Sequence, residues 1–302
     1  MIWIFLGFGL FASAITTNKA LLAYLSPSFF TTMRMLTAGI ILVGFHLLRK
    51  SGNLTKKQLK QDVFLIFGIA LFTTFANSIL KAYALKYLVS SKAALIGSMD
   101  PFITAIYVYI LFGEKLTKTK AIGMLIGMSG IFLLLSSSSS IEDIRTWWTM
   151  FSYPELAALA SLCVSRYGWI MAQKLLKSKR YKPSELNGLI MVVGGIYALI
   201  YSLYTHSIGF EVTPDIRFAS LFTYTILFGN IMAYTFYGSL LKKYSSTFVS
   251  LAGLSIPLFV QLYGPIMLGE PLSSLFFVSF IIVLIGMYIF YKDEIRTRGI
   301  YA

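Results

Sequence analysis

Cysteine occurs once, at Cys163, and histidine twice, at His46 and His206. A single thiol closes no intramolecular disulfide, and no cysteine or histidine grouping has metal-ligand spacing. Neither a metal nor a cofactor is therefore expected. Charge is scarce too: 13% of the 302 residues are Asp, Glu, Lys or Arg, against about 25% in soluble domains. Acidic residues are scarcest, 12 against 26 basic. What is abundant is apolar, 57% of the chain with a mean hydropathy of +0.75. The apolar runs are unalternated and about 20 residues long, the length of a spanning helix, and unlike the short alternating strands of a membrane barrel. These properties predict an all-α integral membrane protein, with the lipid bilayer as its surroundings.

Ten spans are expected, at roughly 2–18, 28–48, 63–85, 90–113, 119–136, 153–176, 184–206, 217–240, 246–268 and 272–291. The N-terminus enters the first directly, without a basic leader region, so that stretch is read as a retained helix. Only two connections have any length, Arg49 to Gln61 and a polar segment from Ser136 to Ser152 holding five consecutive serines. Of the 26 lysines and arginines, 18 fall in the connections and tail on the N-terminal side, 5 in the opposite connections and 3 (Arg34, Lys81, Arg166) within spans. By the positive-inside rule this predicts both termini cytoplasmic, most simply in a bacterial inner membrane. It also explains the net charge of +14 without nucleic acid as a partner.

The chain repeats itself at an offset of 156 residues: "LIGSMDPFIT" at Leu95–Thr104 aligns with "LAGLSIPLFV" at Leu251–Val260. Gly97/Gly253, Pro101/Pro257, Tyr107/Tyr263 and Glu114/Glu270 match, and "LFGEKL" aligns with "MLGEPL". Five spans per half is an odd number, so the second half enters the membrane from the opposite side. The expected organisation is a first five-helix repeat at 1–136, a serine-rich linker at 137–152, a second, inverted five-helix repeat at 153–291 and a basic cytoplasmic tail at 292–302. Inverted repeats are a transporter architecture with the substrate at the midplane.

The ten-span plan, the Gly-Glu-x-Leu closing the fourth and ninth spans, and "LSPSFFTTMRMLTAG" at the second, with Pro27 and Arg34 in place, resemble the EamA type of the drug/metabolite transporter superfamily. The resemblance covers essentially the whole chain. It implies a central cavity built mainly from helices 1, 3, 4, 6, 8 and 9, with the halves rocking around it, and no enzymatic activity.

Ionisable groups inside a membrane are costly and are functional candidates by default. Asp100 and Arg166 lie near the middle of the fourth and sixth spans, level with Asn230 and Gln261 in the eighth and ninth. Asp100 and Arg166 could divide a zwitterion, arginine taking a carboxylate and aspartate an ammonium. They could equally form an ion pair that only ties the halves together. Helical spacing extends the candidate site along Asp100–Thr104–Tyr107, Arg166–Trp169–Gln173, Asn77–Lys81 and Asn230–Tyr234–Tyr237. Aromatics among polar groups suit a ring-bearing or amphipathic ligand; for a single Tyr or Trp packing or an interfacial belt is the better explanation, and the Asn230–Tyr234–Tyr237 stripe is stronger as a set. Lys81 can instead snorkel to the surface, as can Lys19. Arg34 reads as structural. Glu114 and Glu270, at equivalent helix ends on opposite sides, read as gating or structural groups, and Pro101 and Pro257 as kinks.

Enzyme motifs are missing: no H-E-x-x-H, no P-loop, and a bare Gly-Leu-Ser at Gly253 without the rest of a nucleophile elbow. The expectation is a secondary transporter of a small organic metabolite by alternating access. An amino acid or amino-acid-bearing metabolite, S-adenosylmethionine included, is the leading substrate, and a coupling proton or counter-substrate is left open. Export of hydrophobic amines or drugs is the alternative, and a lipid scramblase or flippase ranks below it.

Overall fold

The computed structural model describes residues 2–49, 56–88, 96–138, 153–178, 180–268 and 275–298. Glu270 and residues 139–152 of the serine-rich segment lie outside the described residues. The regular elements are helices: α1 Ile2–Leu21, α2 Pro27–Arg49, α3 Lys56–Ala70, α4 Asn77–Tyr87, α5 Asp100–Phe112, α6 Lys118–Ser138, α7 Tyr153–Lys177, α8 Pro183–Tyr204, α9 Ile216–Tyr224, α10 Ala233–Lys243, α11 Ser246–Ala252, α12 Ser255–Leu268 and α13 Phe276–Arg298. Two π-helical segments, Leu71–Ala76 and Thr225–Met232, join α3 to α4 and α9 to α10 without a break. Among the described residues seven helices are long and apolar enough to cross a membrane, and Asp100–Phe112 is a shorter apolar one.

The bundle is apolar on both faces. Phe64 (89% exposed), Trp3 (82%), Phe277 (67%) and Ile110 (67%) point outward. In water such a coat would drive aggregation, whereas hydrocarbon accepts it. Inside, Phe8, Met124, Leu258, Val283, Met287 and Phe290 are fully packed. Helices in lipid gain little from further burial of apolar surface, so close fit between small residues holds them together. Two seams show this. Where α6 meets α13, a Cβ added to Gly286 would lie 2.5 Å from the Gly127 amide nitrogen and 2.6 Å from the Gly123 carbonyl oxygen. Where α2 meets α8, a Cβ on Gly39 would lie 2.7 Å from the Val192 amide nitrogen.

Proline shapes the interior differently from the expected kinks. Pro101 occupies the first turn of α5, where its missing N–H leaves no bond unmade, and the chain before it is a tight turn. The Met99 N–H donates to the Ile96 carbonyl at 3.1 Å and Phe102 N–H to Met99 at 3.1 Å. The second copy behaves alike. α11 ends at Ala252, Leu254 N–H donates to the Leu251 carbonyl at 2.9 Å, and α12 restarts at Ser255 with Pro257 in its first turn. Each proline therefore begins a helix after a break and does not bend a continuous one.

The π segments are docked by hydroxyls. Thr74 Oγ1 donates to the Ala70 carbonyl at 2.8 Å and to Ile190 on α8 at 2.8 Å. Asn77 Nδ2 donates to the Thr73 carbonyl at 3.0 Å, serving a group the wider turn loosens. Two expected boundaries also move: α3 begins inside the connection read at Arg49–Gln61, and α13 continues through most of the basic tail, to Arg298. Both extensions are polar or charged helical turns continuing past the apolar run.

Replacing Gly286 with Leu forces the α6–α13 backbones apart. It is expected to destabilise the detergent-purified protein by about 1–3 kcal/mol, the range for overpacking. Ile285→Leu next to it, on a half-exposed face, should leave the thermal midpoint unchanged.

Candidate functional site

A cavity of about 940 Å³ opens between α1, α4, α5, α7, α9–α10 and α11–α12. Its mouth lies at the end carrying the α1–α2 connection and residues 205–215, where exposed Lys19, Val212 and Arg217 line it. That end is tied by Ser28 and Ser207, whose hydroxyls are 2.6 Å apart, and by the Glu211 N–H donating to the Tyr24 carbonyl at 2.7 Å. Asp215 caps α9 by accepting from the Phe218 N–H at 2.8 Å, and this bond holds its carboxyl below its usual range.

The floor is an ion pair. Asp100 opens α5 at the break, and Arg166 projects from the middle of α7, so that its Nε lies 2.8 Å from Asp100 Oδ1. The two atoms are close but not aligned as a hydrogen bond, and neither has another partner. The guanidinium also donates from Nη1 to the Tyr237 hydroxyl on α10 and, at 3.4 Å, from Nη2 to Ser165 Oγ. Its carbon sits 5.6 Å from the centre of the Tyr237 ring. Three helices thus converge on one cation.

Aromatic rings wall the floor: Trp169 is 4.7 Å from Tyr237 and 5.8 Å from Tyr234, which is 6.1 Å from Phe11. Below it, Gln173 closes the far side. α10 ends at Lys243, leaving carbonyls with no helical partner. Gln173 Nε2 donates to Leu241 at 2.8 Å and Tyr244 at 2.7 Å, and its Oε1 accepts from Ser246 at 2.6 Å.

Among the residues expected from the sequence, Asp100, Arg166, Asn77, Lys81, Trp169, Tyr234, Tyr237 and Pro257 line this cavity. Tyr107 sits below the floor, edge-on to Tyr167 at 6.1 Å. Asn230 is fully buried, its Nδ2 3.5 Å from Met35 Sδ, and turned off the cavity. Gln261 and Pro101 are outside the lining, and Glu114 is exposed just past Gly113, whose φ of 66° ends α5. Arg34, read as structural, lines the cavity from the second span. The signal for it was present: an arginine in an apolar helix with no acid one turn away. Ser161 and Ser165, one turn apart on the face leading to Trp169, were also missed.

Comparison with known proteins places this geometry. The model of the EamA-like transporter family matches residues 1–136 and 154–292, a range in each half. The chain belongs to that family. It is a membrane transporter and not an enzyme. A protein of Chlamydia muridarum named S-adenosylmethionine/S-adenosylhomocysteine transporter is 30% identical over 297 residues, 97% of this chain and 92% of the relative. The protein of the same name from Chlamydia trachomatis serovar L2 is 29% identical, covering 97% and 89%. An uncharacterized transporter of Bacillus subtilis is 24% identical over 93% and 90%. A crystal structure superposes over 98% of both chains at a TM-score of 0.72 and 15% identity, which shows a shared fold.

Gln173→Leu strands the Leu241 and Tyr244 carbonyls and the Ser246 hydroxyl. It is expected to cost about 1–3 kcal/mol, read as a lower thermal midpoint in detergent. Gln173→Glu, which turns a buried carboxylate oxygen toward the same two carbonyl oxygens, should lower the midpoint at least as far as Gln173→Leu.

Proposed function

We propose that the chain is a secondary transporter of an amino-acid-bearing metabolite of the S-adenosylmethionine or S-adenosylhomocysteine kind. The observation carrying this is the cavity itself. Its volume falls within the range of about 300–1,000 Å³ for sites of drug-sized ligands, and it joins an aromatic wall to an ion pair whose facing atoms are not spent on hydrogen bonds. The names of the Chlamydia relatives supply the chemical class. A purine ring packs against the face that Tyr234, Trp169 and Phe11 present to the cavity, and Asp100 faces the ammonium. Arg166, with its Nε 2.8 Å from Asp100 Oδ1, holds that carboxylate in place. The relatives' names pair a methyl donor with its demethylated product, which fits exchange with S-adenosylhomocysteine as counter-substrate.

Transport proceeds by alternating access of two inverted five-helix halves, ten spans in all, with both termini cytoplasmic in a bacterial inner membrane. Support comes from the paired proline breaks and the paired π segments, one of each per half. The cavity is open at one end and barred at the other by the Gln173 contacts, which is one state of such a cycle. Five basic side chains around one carboxylate make the export of a lone hydrophobic amine the weaker reading.

Labelled S-adenosylmethionine should enter proteoliposomes above the level of empty vesicles, and S-adenosylhomocysteine inside should accelerate it. Asp100→Asn and Arg166→Met should each abolish uptake while leaving expression intact. Uptake no better than empty vesicles, or full transport by either variant, overturns the assignment.

A further inference from the structure

Among the described residues the cavity is lined by Lys19, Arg34, Lys81, Arg166 and Arg217 against a single carboxylate, Asp100. The two deep arginines are in different situations. Arg166 is paired on its Nε side with Asp100 and donates from Nη1 to Tyr237, so each edge through which a guanidinium grips a carboxylate already has a neighbour in place. Arg34 is nine-tenths buried, with no acid beside it among the described residues. Its Nη2 reaches Ser78 Oγ at 3.3 Å, its carbon lies 5.2 Å from the Phe30 ring centre, and its Nε has no hydrogen-bond partner. Lys81, one helical turn from Ser78, lies within electrostatic reach of both Arg34 and the Asp100–Arg166 pair. A buried cation without a counter-ion is expensive, and this one faces a cavity large enough to bring an anion to it.

We infer that Arg34, assisted by Lys81, is the carboxylate-binding subsite, so that the substrate's anionic group docks on the second span while Asp100 holds its cationic group. This rests on the proposed substrate class and assigns each end of the zwitterion a place. Arg166 becomes a positioning residue for Asp100 instead of the carboxylate ligand.

The test measures binding to the purified full-length chain by two compounds, S-adenosylhomocysteine and S-adenosyl-3-thiopropylamine, which lacks only the carboxylate. The native protein should prefer the carboxylated compound by about 10- to 100-fold, the worth of a charged hydrogen bond. Arg34→Gln should erase that preference by weakening S-adenosylhomocysteine alone, and Arg34→Lys should keep part of it, which also covers a failure of the glutamine variant to fold. A preference kept in Arg34→Gln or lost in Arg166→Gln instead overturns the subsite and leaves the substrate class standing. If the native protein binds neither compound, the substrate class falls. AMP, glutamate and succinate then decide: stabilisation by any of them that Arg34→Gln cancels retains the anion subsite, and none overturns it.

Discussion

A carboxylate and a guanidinium 2.8 Å apart in the middle of an apolar bundle set the terms for everything around them. Neither charge is tolerable in hydrocarbon alone, and even paired they lose hydration that mutual attraction only partly offsets. The bundle answers with a water-accessible cavity above the pair and helices that are broken where the cavity needs backbone. Irregular backbone survives at membrane depth only against such a cavity. The turn before Asp100 and its counterpart at Gly253 both lie there, so the breaks and the charges require one another.

The two ends are built unequally. At the mouth, small hydroxyls and a short extended contact hold the connections together. At the far end Asp62 accepts from Tyr181 at 3.0 Å and Arg180 at 3.2 Å, and Glu294 takes Lys120 at 2.7 Å and the Ser245 N–H at 3.0 Å. The glycine seams belong to neither end. They join α2 to α8 and α6 to α13, pairs that stand largely behind the cavity helices and give those helices a backing.

Much of this was legible in the sequence, and the failures have identifiable causes. Asp100 and Arg166 could be paired because depth in a spanning helix is a simple count along the chain. Tyr107 falls outside the lining because a shared helical face says nothing about where a cavity ends; its floor is at Asp100, and α5 descends away from it. Asn230 was placed with Tyr234 and Tyr237 by regular helical spacing, but it sits inside a π segment, where that spacing fails. Gln261 follows Val260, a lining residue, and a one-residue step turns it by about 100°. Arg34 escaped because the lining was taken from the resemblance, which leaves out the second helix, instead of from the cost of an unpaired guanidinium.

The π segments act as phase setters. A π turn carries one more residue than an α turn, so everything following it is rotated by about 100° relative to an unbroken α-helix. Asn77, Ser78 and Lys81 follow the first such segment, Tyr234 and Tyr237 the second, and all five line the cavity. The chemistry presented to a ligand by these two spans is thus fixed by a surplus of backbone about one turn upstream. Deleting the surplus residue in Leu71–Ala76 would restore a regular α turn and leave Lys81 on the cavity, whereas straightening the segment at full length would swing it off by about 100°.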